Sequence, residues 1–314
     1  MQNLLPFLQS GWMRRSATRF VKEHPLLRYV RLIQPETRLW GREPGTLPSF
    51  LVIGAQRSGS TFLHDYLALN TSARPSPLQK EVHYFDNKFY KSLRWYAKFF
   101  ESLEGEEAKA KNFESSPGYL YHPAVPKRVK RCLPDVKAVA VLRDPVERSI
   151  SQYKWIRQCG LETRGPVEAF RDDAQRIDQE TNGRSLRRFD DPLHFDFRHF
   201  HHGYLRRSLY HVQLRRWLRH FPAAQLRIVS SSTLFERPGE VVSELATFLD
   251  ISDDGTSRRD AINQNTSSSE INVPAEAREI AYTHLADVES KVRAVVSPDM
   301  VVGDTLHLGQ RSTR

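Results

Sequence analysis

One stretch constrains this chain more than any other: Phe50 to Tyr66 reads F-L-V-I-G-A-Q-R-S-G-S-T-F-L-H-D-Y. Four apolar residues, Phe50 to Ile53, run into a turn bounded by Gly54 and Gly59, five apart. Ser60 and Thr61 then open a helical pattern that continues through Phe62, Leu63, Tyr66, Leu67 and Leu69 to end near Asn70. That order predicts a strand, an anion-cradling loop and a helix N-terminus, where successive N–H groups and the positive end of the helix dipole face one point. The glycine spacing is that of a P-loop. Ser60, however, stands where a nucleotide triphosphatase carries Lys, and the basic residue of the loop is Arg57. The loop suits a phosphorylated nucleotide but not ordinary nucleotide hydrolysis.

A second strand-loop-helix unit follows downstream. Val136 to Leu142, V-K-A-V-A-V-L, is a β-branched run of the kind that forms a buried parallel strand. R-D-P-V-E-R-S-I-S-Q-Y follows it at once, with Asp144 before Pro145 as a helix start and Glu147 in the first turn. Lys80 to Phe85, K-E-V-H-Y-F, reads as a short strand or edge turn, and Gly160 to His202 as a polar insertion over the sheet. Helices are expected over Tyr204 to Phe221, Pro238 to Leu249 and Glu276 to Val296, with a strand at Leu226 to Ser231. Strands alternating with helices predict an α/β fold: one P-loop-like parallel sheet flanked by helices on both faces in a single domain. The expected organisation is a basic N-terminal extension over residues 1–46, a domain over 47–300 and a tail over 301–314.

Charge narrows the partner. The chain has 314 residues, 47 Lys plus Arg against 37 Asp plus Glu, a net charge of +10 and a pI near 9.7, so its partner or substrate is expected to be anionic. No run approaches the roughly 18 apolar residues of a membrane span. A soluble, cytoplasmic protein is the expectation, with an interfacial helix in peripheral membrane contact, an organelle transit segment or docking on the domain as alternatives for the N-terminus, where Leu4, Leu5, Phe7, Leu8 and Trp12 neighbour Arg14, Arg15, Arg19 and Lys22. Cys132 and Cys159 make no disulfide framework. His194, His199, His201 and His202 lack recognised metal-ligand spacing, and no metal is expected.

Four segments together resemble the nucleotide-dependent sulfotransferases, in particular the heparan sulfate 3-O- and N-sulfotransferases and bacterial carbohydrate sulfotransferases. They are the Gly54 to Thr61 loop, K-E-V-H-Y-F-D at Lys80 to Asp86, Arg143 to Tyr153, and R-S-L-Y-H-V-Q-L-R-R-W-L at Arg207 to Leu218. The resemblance implies a sulfuryl donor, 3′-phosphoadenosine 5′-phosphosulfate (PAPS), and an acceptor that is a carbohydrate or glycolipid, acidic or neutral, rather than nucleic acid. PAPS carries anions at both ends, so its site needs two separate grips at the carboxyl ends of parallel strands. The first is the loop, with Arg57, Ser58, Gly59, Ser60 and Thr61. The second, by resemblance, is Arg143 with Ser151, eight residues later, for the 3′-phosphate. Arg207 and Tyr210 fall inside a matching motif and are assigned to the cofactor.

The resemblance maps the catalytic base onto Glu81; His83, two residues on, is read as orienting the acceptor or replacing Glu81 as base, Asp86 as positioning His83 or an acceptor hydroxyl, and Arg57 as stabilising the leaving group. Ser115 stands where the resembling enzymes use a Lys toward acidic polysaccharide. Their C-terminal disulfide loop and basic phosphate clamp have no counterpart either, leaving the polar tract Asn265 to Ser269 as a substitute. Two other classes compete with this reading: a P-loop kinase of small metabolites and a basic polyanion-binding protein. The missing loop Lys counts against the first, and the second leaves two phosphate grips unexplained.

Overall fold

The structure, a computed structural model, describes residues 37–105, 109–178, 184–253, 271–303 and 306–308. In chain order the elements begin with β1 (Phe50–Gly54), α1 (Ser60–Asn70), β2 (Ala73–Pro75), α2 (Tyr84–Asn87), α3 (Leu93–Ala97) and β3 (Lys111–Ser115). There follow α4 (Val125–Cys132), β4 (Lys137–Leu142), α5 (Pro145–Gln158), α6 (Pro166–Ala174), α7 (Phe197–His201) and α8 (Tyr210–Leu218). The last are β5 (Leu226–Ser230), α9 (Ser231–Glu236), α10 (Pro238–Leu249), α11 (Ala275–Leu285), α12 (Val288–Arg293) and β6 (Val301–Val302).

The six strands form one parallel sheet in the order β2-β3-β1-β4-β5-β6. Every residue of β1 is buried, because both faces of the sheet are covered. Phe50 and Val52 point into a core with Phe62, Leu63, Tyr66 and Leu67 of α1 and Val241, Leu245 and Leu249 of α10. Leu51 and Ile53 point into the opposite core with Tyr96, Tyr119, Tyr153, Tyr204 and Trp217. This is the expected doubly covered α/β sheet. Its carboxyl edge brings together the loop after β1, the Glu114 to Ser116 corner after β3 and Arg143 after β4.

Several elements differ from expectation for identifiable reasons. K-E-V-H-Y-F is neither strand nor edge turn: His83 is left-handed (φ 57°), and Tyr84 opens a single helical turn. Its backbone donors go to side chains instead of a neighbouring strand, since the Tyr119 hydroxyl accepts from the amides of Tyr84 and Phe85. The helix expected over Tyr204 to Phe221 starts as a 3-10 turn at Arg206–Ser208, because the Asp173 carboxylate accepts the amides of Leu205 and Arg206. The last helix is two, broken where Asp287 leaves helical geometry. Residues set apart as a tail supply β6, and Leu306 and Leu308 are buried in the core, so the sheet continues past residue 300. The N-terminal apolar and basic clusters and the Asn265 to Ser269 tract lie outside the described residues.

The expected insertion is largely helical and is pinned at its base by Glu162. This buried carboxylate accepts from Arg164 Nη2 at 2.6 Å, Arg164 Nε at 2.9 Å, the Tyr204 hydroxyl at 2.8 Å and the amides of Thr163 and Arg164. Burial alone would raise its pKa, but Arg164 and the other donors outweigh it and bring it from 4.5 to about 2. A depressed pKa gives stability that is complete above about pH 4.5 and is lost as pH falls toward 2, of order 3 kcal/mol here. The stability difference between the native chain and Glu162→Gln, followed by urea unfolding, should therefore shrink steadily from pH 5 to pH 2.5. A difference independent of pH would refute the clamp.

Candidate active site

The loop after β1 takes its shape from residues that tolerate unusual backbone. Gly54 (φ 155°) has no room for a side chain, since a Cβ there would lie 2.7 Å from Leu120 Cβ. Gly59 (φ 104°) is the left-handed N-cap of α1 and provides no side-chain cap. The amides of Gly59, Ser60, Thr61 and Phe62 consequently have no acceptor among the described residues. Four convergent donors at a helix N-terminus form a cradle for an anion.

Arg57 is left-handed as well (φ 69°) and donates through Nε to Ser151 Oγ on α5 at 3.2 Å. The two expected phosphate grips are thus physically joined. The Arg57 pKa is lowered, first by burial and then by repulsion from Arg143. Arg143, half-buried at the end of β4, has no hydrogen bond or ion pair from its side chain among the described residues. Two guanidinium groups close enough to repel one another, neither bonded to a carboxylate among the described residues, suit an anion. The chemistry of this donor set fits a nucleotide with separate charged groups.

Tyr210 is placed differently from the expectation that it faces the cofactor. It is fully buried, and its hydroxyl donates to the Arg143 carbonyl at 3.0 Å, so it supports the grip from beneath. Arg207 is buried too and bridges the loop to the insertion: Nη1 donates to Gln56 Oε1 at 3.1 Å and Nη2 to the Phe200 carbonyl at 2.8 Å. Ser58 and Ser60 are buried within the loop, and Thr61 at the start of α1 is half-buried.

Beside the loop stands a chain of charged groups. Glu81 Oε2 is 3.1 Å from His83 Nε2, and His83 Nδ1 is 2.9 Å from Oδ2 of the buried Asp86. Burial acts to lower the His83 pKa, but the two flanking carboxylates outweigh it and raise it to about 10. An imidazolium has no lone pair with which to take a proton. Burial raises the Glu81 pKa, yet His83 and Lys80 together hold it below the usual value, leaving a carboxylate. Between the two candidate bases, the geometry therefore favours Glu81 as proton acceptor and His83 as the cation that orients it.

This arrangement rests on Glu114, part of E-S-S-P. The buried Glu114 carboxylate accepts from the hydroxyls of Tyr96 at 2.5 Å and Tyr119 at 2.9 Å, and from the His83 amide at 3.3 Å, which fixes the left-handed turn. Burial raises its pKa against these donors. Arg128 holds the other side, donating to the carbonyls of Phe85 and, from the insertion, Phe189. Neither is identified as a site support by the sequence reading, since Glu114 lies in the largely polar strand K-N-F-E-S.

Gly118 leaves space for the His83–Asp86 pair. A Cβ there would lie 2.8 Å from Asp86 Oδ2. Gly118→Ala should displace the carboxylate and lower the His83 pKa from about 10 by one or more units, read from its ring resonances by NMR. An unchanged titration would show that Asp86 does not set it.

Lys80 is the sequence neighbour of Glu81. In the structure its Nζ lies 3.0 Å from Thr61 Oγ1 and 3.4 Å from Glu81 Oε1, between the anion loop and the carboxylate. The candidate histidines of the insertion are spent on ring packing: His199 stacks on Tyr121 at 4.2 Å and His201 packs on Phe197. Among the described residues no three His, Cys, Asp or Glu side chains converge as metal ligands. Cys132 and Cys159 are free thiols.

A parallel sheet with a glycine-bounded anion loop at its carboxyl edge, a second guanidinium grip after the neighbouring strand and a Glu81–His83–Asp86 ion chain beside the loop defines a P-loop-like α/β group-transfer protein. The sulfotransferase domain matches residues 47–293, and the chain belongs to that family. It is 30% identical to the membrane-associated sulfotransferase kil1 of Dictyostelium discoideum, with 65% of this chain and 56% of that one covered. It is also 30% identical to the human bifunctional heparan sulfate N-deacetylase/N-sulfotransferase 2 (68% and 23% covered) and 28% identical to the mouse heparan sulfate glucosamine 3-O-sulfotransferase 3A1 (65% and 46% covered). The chain thus spans between about a quarter and a little over half of these relatives. The fold is shared with a sulfotransferase from Alicyclobacillus acidocaldarius, at a TM-score of 0.59 and 23% identity over 80% of this chain and 96% of that one.

Proposed function

We propose that this sulfotransferase moves the sulfuryl group of PAPS to a hydroxyl, less commonly an amine, of a carbohydrate or glycolipid. The observation that carries the reading is the Arg57 to Ser151 contact at 3.2 Å, which joins two anion grips into one cleft beside Glu81. The relatives named for heparan sulfate support a carbohydrate acceptor. Arg57, the open amides of Gly59 to Thr61 and the Ser58 and Ser60 backbone would hold the phosphosulfate end. Arg143 and Ser151 would hold the 3′-phosphate, with Arg207 and Tyr210 fixing the walls. Bound PAPS supplies an activated sulfuryl group on a good leaving phosphate.

Glu81 takes the proton of the acceptor hydroxyl, and His83, anchored by Asp86, keeps that carboxylate ionised and aimed. Arg57 stabilises the charge that develops on the departing phosphate oxygen. At neutral pH every group is in the required state: Glu81 is ionised and His83 is charged. Ser115 is fully buried at the end of β3 and offers the acceptor no cation, which favours an acceptor less dependent on acidic groups than heparan sulfate.

No described helix is long and apolar enough to cross a membrane. The relative named as membrane-associated supports a peripheral contact made by the apolar and basic clusters near the N-terminus, Leu4 to Lys22. A screen of neutral and acidic glycans with PAPS carrying labelled sulfate tests the acceptor class. Label should appear on at least one carbohydrate; donor breakdown with no carbohydrate labelled would contradict the reading.

A further inference from the structure

We infer that Lys80 is a catalytic residue that contacts the transferred sulfuryl group and its departing phosphate oxygen, replacing the lysine missing from the glycine loop. The inference rests on the proposed sulfuryl transfer and extends it to a residue 19 positions beyond Thr61 in the sequence. Lys80 is not held as an ordinary surface ion pair. Its Nζ lies 3.0 Å from Thr61 Oγ1, in the first turn of α1, and the same ammonium is 3.4 Å from Glu81 Oε1. Both side chains are partly covered, Lys80 being 25% and Glu81 36% exposed.

A cation at the N-terminus of an eleven-residue helix sits at the wrong end of the dipole. Arg57 and Arg143 lie at the same carboxyl edge of the sheet, and the amides of Gly59 to Phe62 have no acceptor among the described residues, so cations and open donors there outnumber Glu81 and Asp65, the carboxylates that interact with Lys80. Glu81 cannot neutralise that set while it is also bonded to His83. The charge balance is restored when an anionic group occupies the loop, and Lys80 then stands between the group being transferred and the base. In a P-loop the lysine rises from the helix start itself; here it is delivered onto that helix start by the segment after β2.

In the transfer, the acceptor oxygen forms a new O–S bond as its proton passes to a Glu81 carboxylate oxygen. The bond from sulfur to the bridging phosphate oxygen breaks, and its electron pair stays on the nucleotide, which departs as 3′-phosphoadenosine 5′-phosphate. Lys80 remains an ammonium throughout and offsets the negative charge that moves onto the bridging oxygen. A second consequence concerns the base: removing the ammonium beside Glu81 removes one of the groups that hold its pKa down.

The test compares the native chain, Lys80→Met and Lys80→Arg in labelled-sulfate transfer at saturating donor, with thermal midpoints in 3′-phosphoadenosine 5′-phosphate as a control for folding and binding. Lys80→Met should lower kcat at least about hundredfold while the midpoint rise caused by the nucleotide stays close to native. Its residual activity should show an acid limb moved to higher pH, and Lys80→Arg should recover a substantial part of kcat. Ethylammonium added to Lys80→Ala should restore activity in a saturable manner. A kcat for Lys80→Met within threefold of native overturns the assignment, as does a weakened donor KM with kcat unchanged. No transfer by the native chain under any acceptor tested overturns the proposed function and this inference with it, whereas an active native chain with an equally active Lys80→Met overturns this inference alone.

Discussion

Glu81→Gln is expected to bind 3′-phosphoadenosine 5′-phosphate as the native chain does and to lose transfer by 10²- to 10⁴-fold, the usual range for removing a positioned base. The geometry makes this substitution severe. Both carboxylate oxygens face cationic donors, Lys80 on one and His83 on the other. A carboxamide has one oxygen and one NH₂ group, so one of those donors must then face another donor. The loss is therefore twofold in origin: the proton acceptor disappears, and the ion chain that orients the site breaks. His83 cannot substitute, because with a pKa near 10 it already carries its proton. Single-turnover assays with thermal midpoints in the nucleotide separate binding from chemistry. Full turnover in Glu81→Gln would remove Glu81 from the mechanism.

The second large effect belongs to Arg57. Its replacement must respect the left-handed backbone at φ 69°, which alanine adopts only with strain, so Arg57→Asn is the informative variant. It removes the guanidinium while keeping a residue tolerant of that conformation. Loss of a charge-assisted contact costs about 1.5–3 kcal/mol in ground-state binding. Loss of an electrostatic stabiliser aimed at the leaving group costs a further 10²- to 10³-fold in kcat. Both the donor KM and kcat should consequently worsen. Arg57→Lys should recover the charge but not the planar fork whose Nε reaches Ser151, and should remain impaired in donor binding. An Arg57→Asn chain with native kcat would show that the loop acts through its backbone alone.

Much of this fold was legible because its strands are buried on both faces and so read as continuous apolar runs. Phe50 to Ile53 and Val136 to Leu142 were unmistakable on that basis. The glycine spacing likewise announced the loop, since Gly54 and Gly59 occupy backbone conformations or spaces that a side chain resists. What the sequence concealed lies where side chains, not backbone ladders, satisfy the main chain. K-E-V-H-Y-F has an extended composition, yet Tyr119, Glu114 and Ser116 take its amides and turn it into a left-handed residue followed by one helical turn.

The candidate site follows the same division. Glu81, Arg57, Arg143 and Ser151 were reachable from motif order, and the structure brings them to one edge of the sheet. Lys80 was visible only as the neighbour of Glu81, because the contact that gives it meaning crosses to Thr61 on another element. Arg128 sits on a helix whose other basic residues are solvated, and nothing local distinguishes the one guanidinium that turns inward to Phe85 and Phe189. Tyr210 lies beneath Arg143 with its hydroxyl on that residue's carbonyl, an orientation that its place in the motif does not reveal.

The most direct test of a two-grip nucleotide cleft is the thermal unfolding midpoint of the native chain and Arg143→Ala, each with 3′-phosphoadenosine 5′-phosphate or with ATP and magnesium. At a hundredfold excess over Kd, a ligand specific for the folded state adds about 2.7 kcal/mol, or roughly 5 °C for a domain of this size. The account predicts that rise for the native chain with the 3′-phosphorylated nucleotide, no comparable rise with ATP and magnesium, and its loss in Arg143→Ala. Stabilisation by ATP and magnesium alone would contradict it.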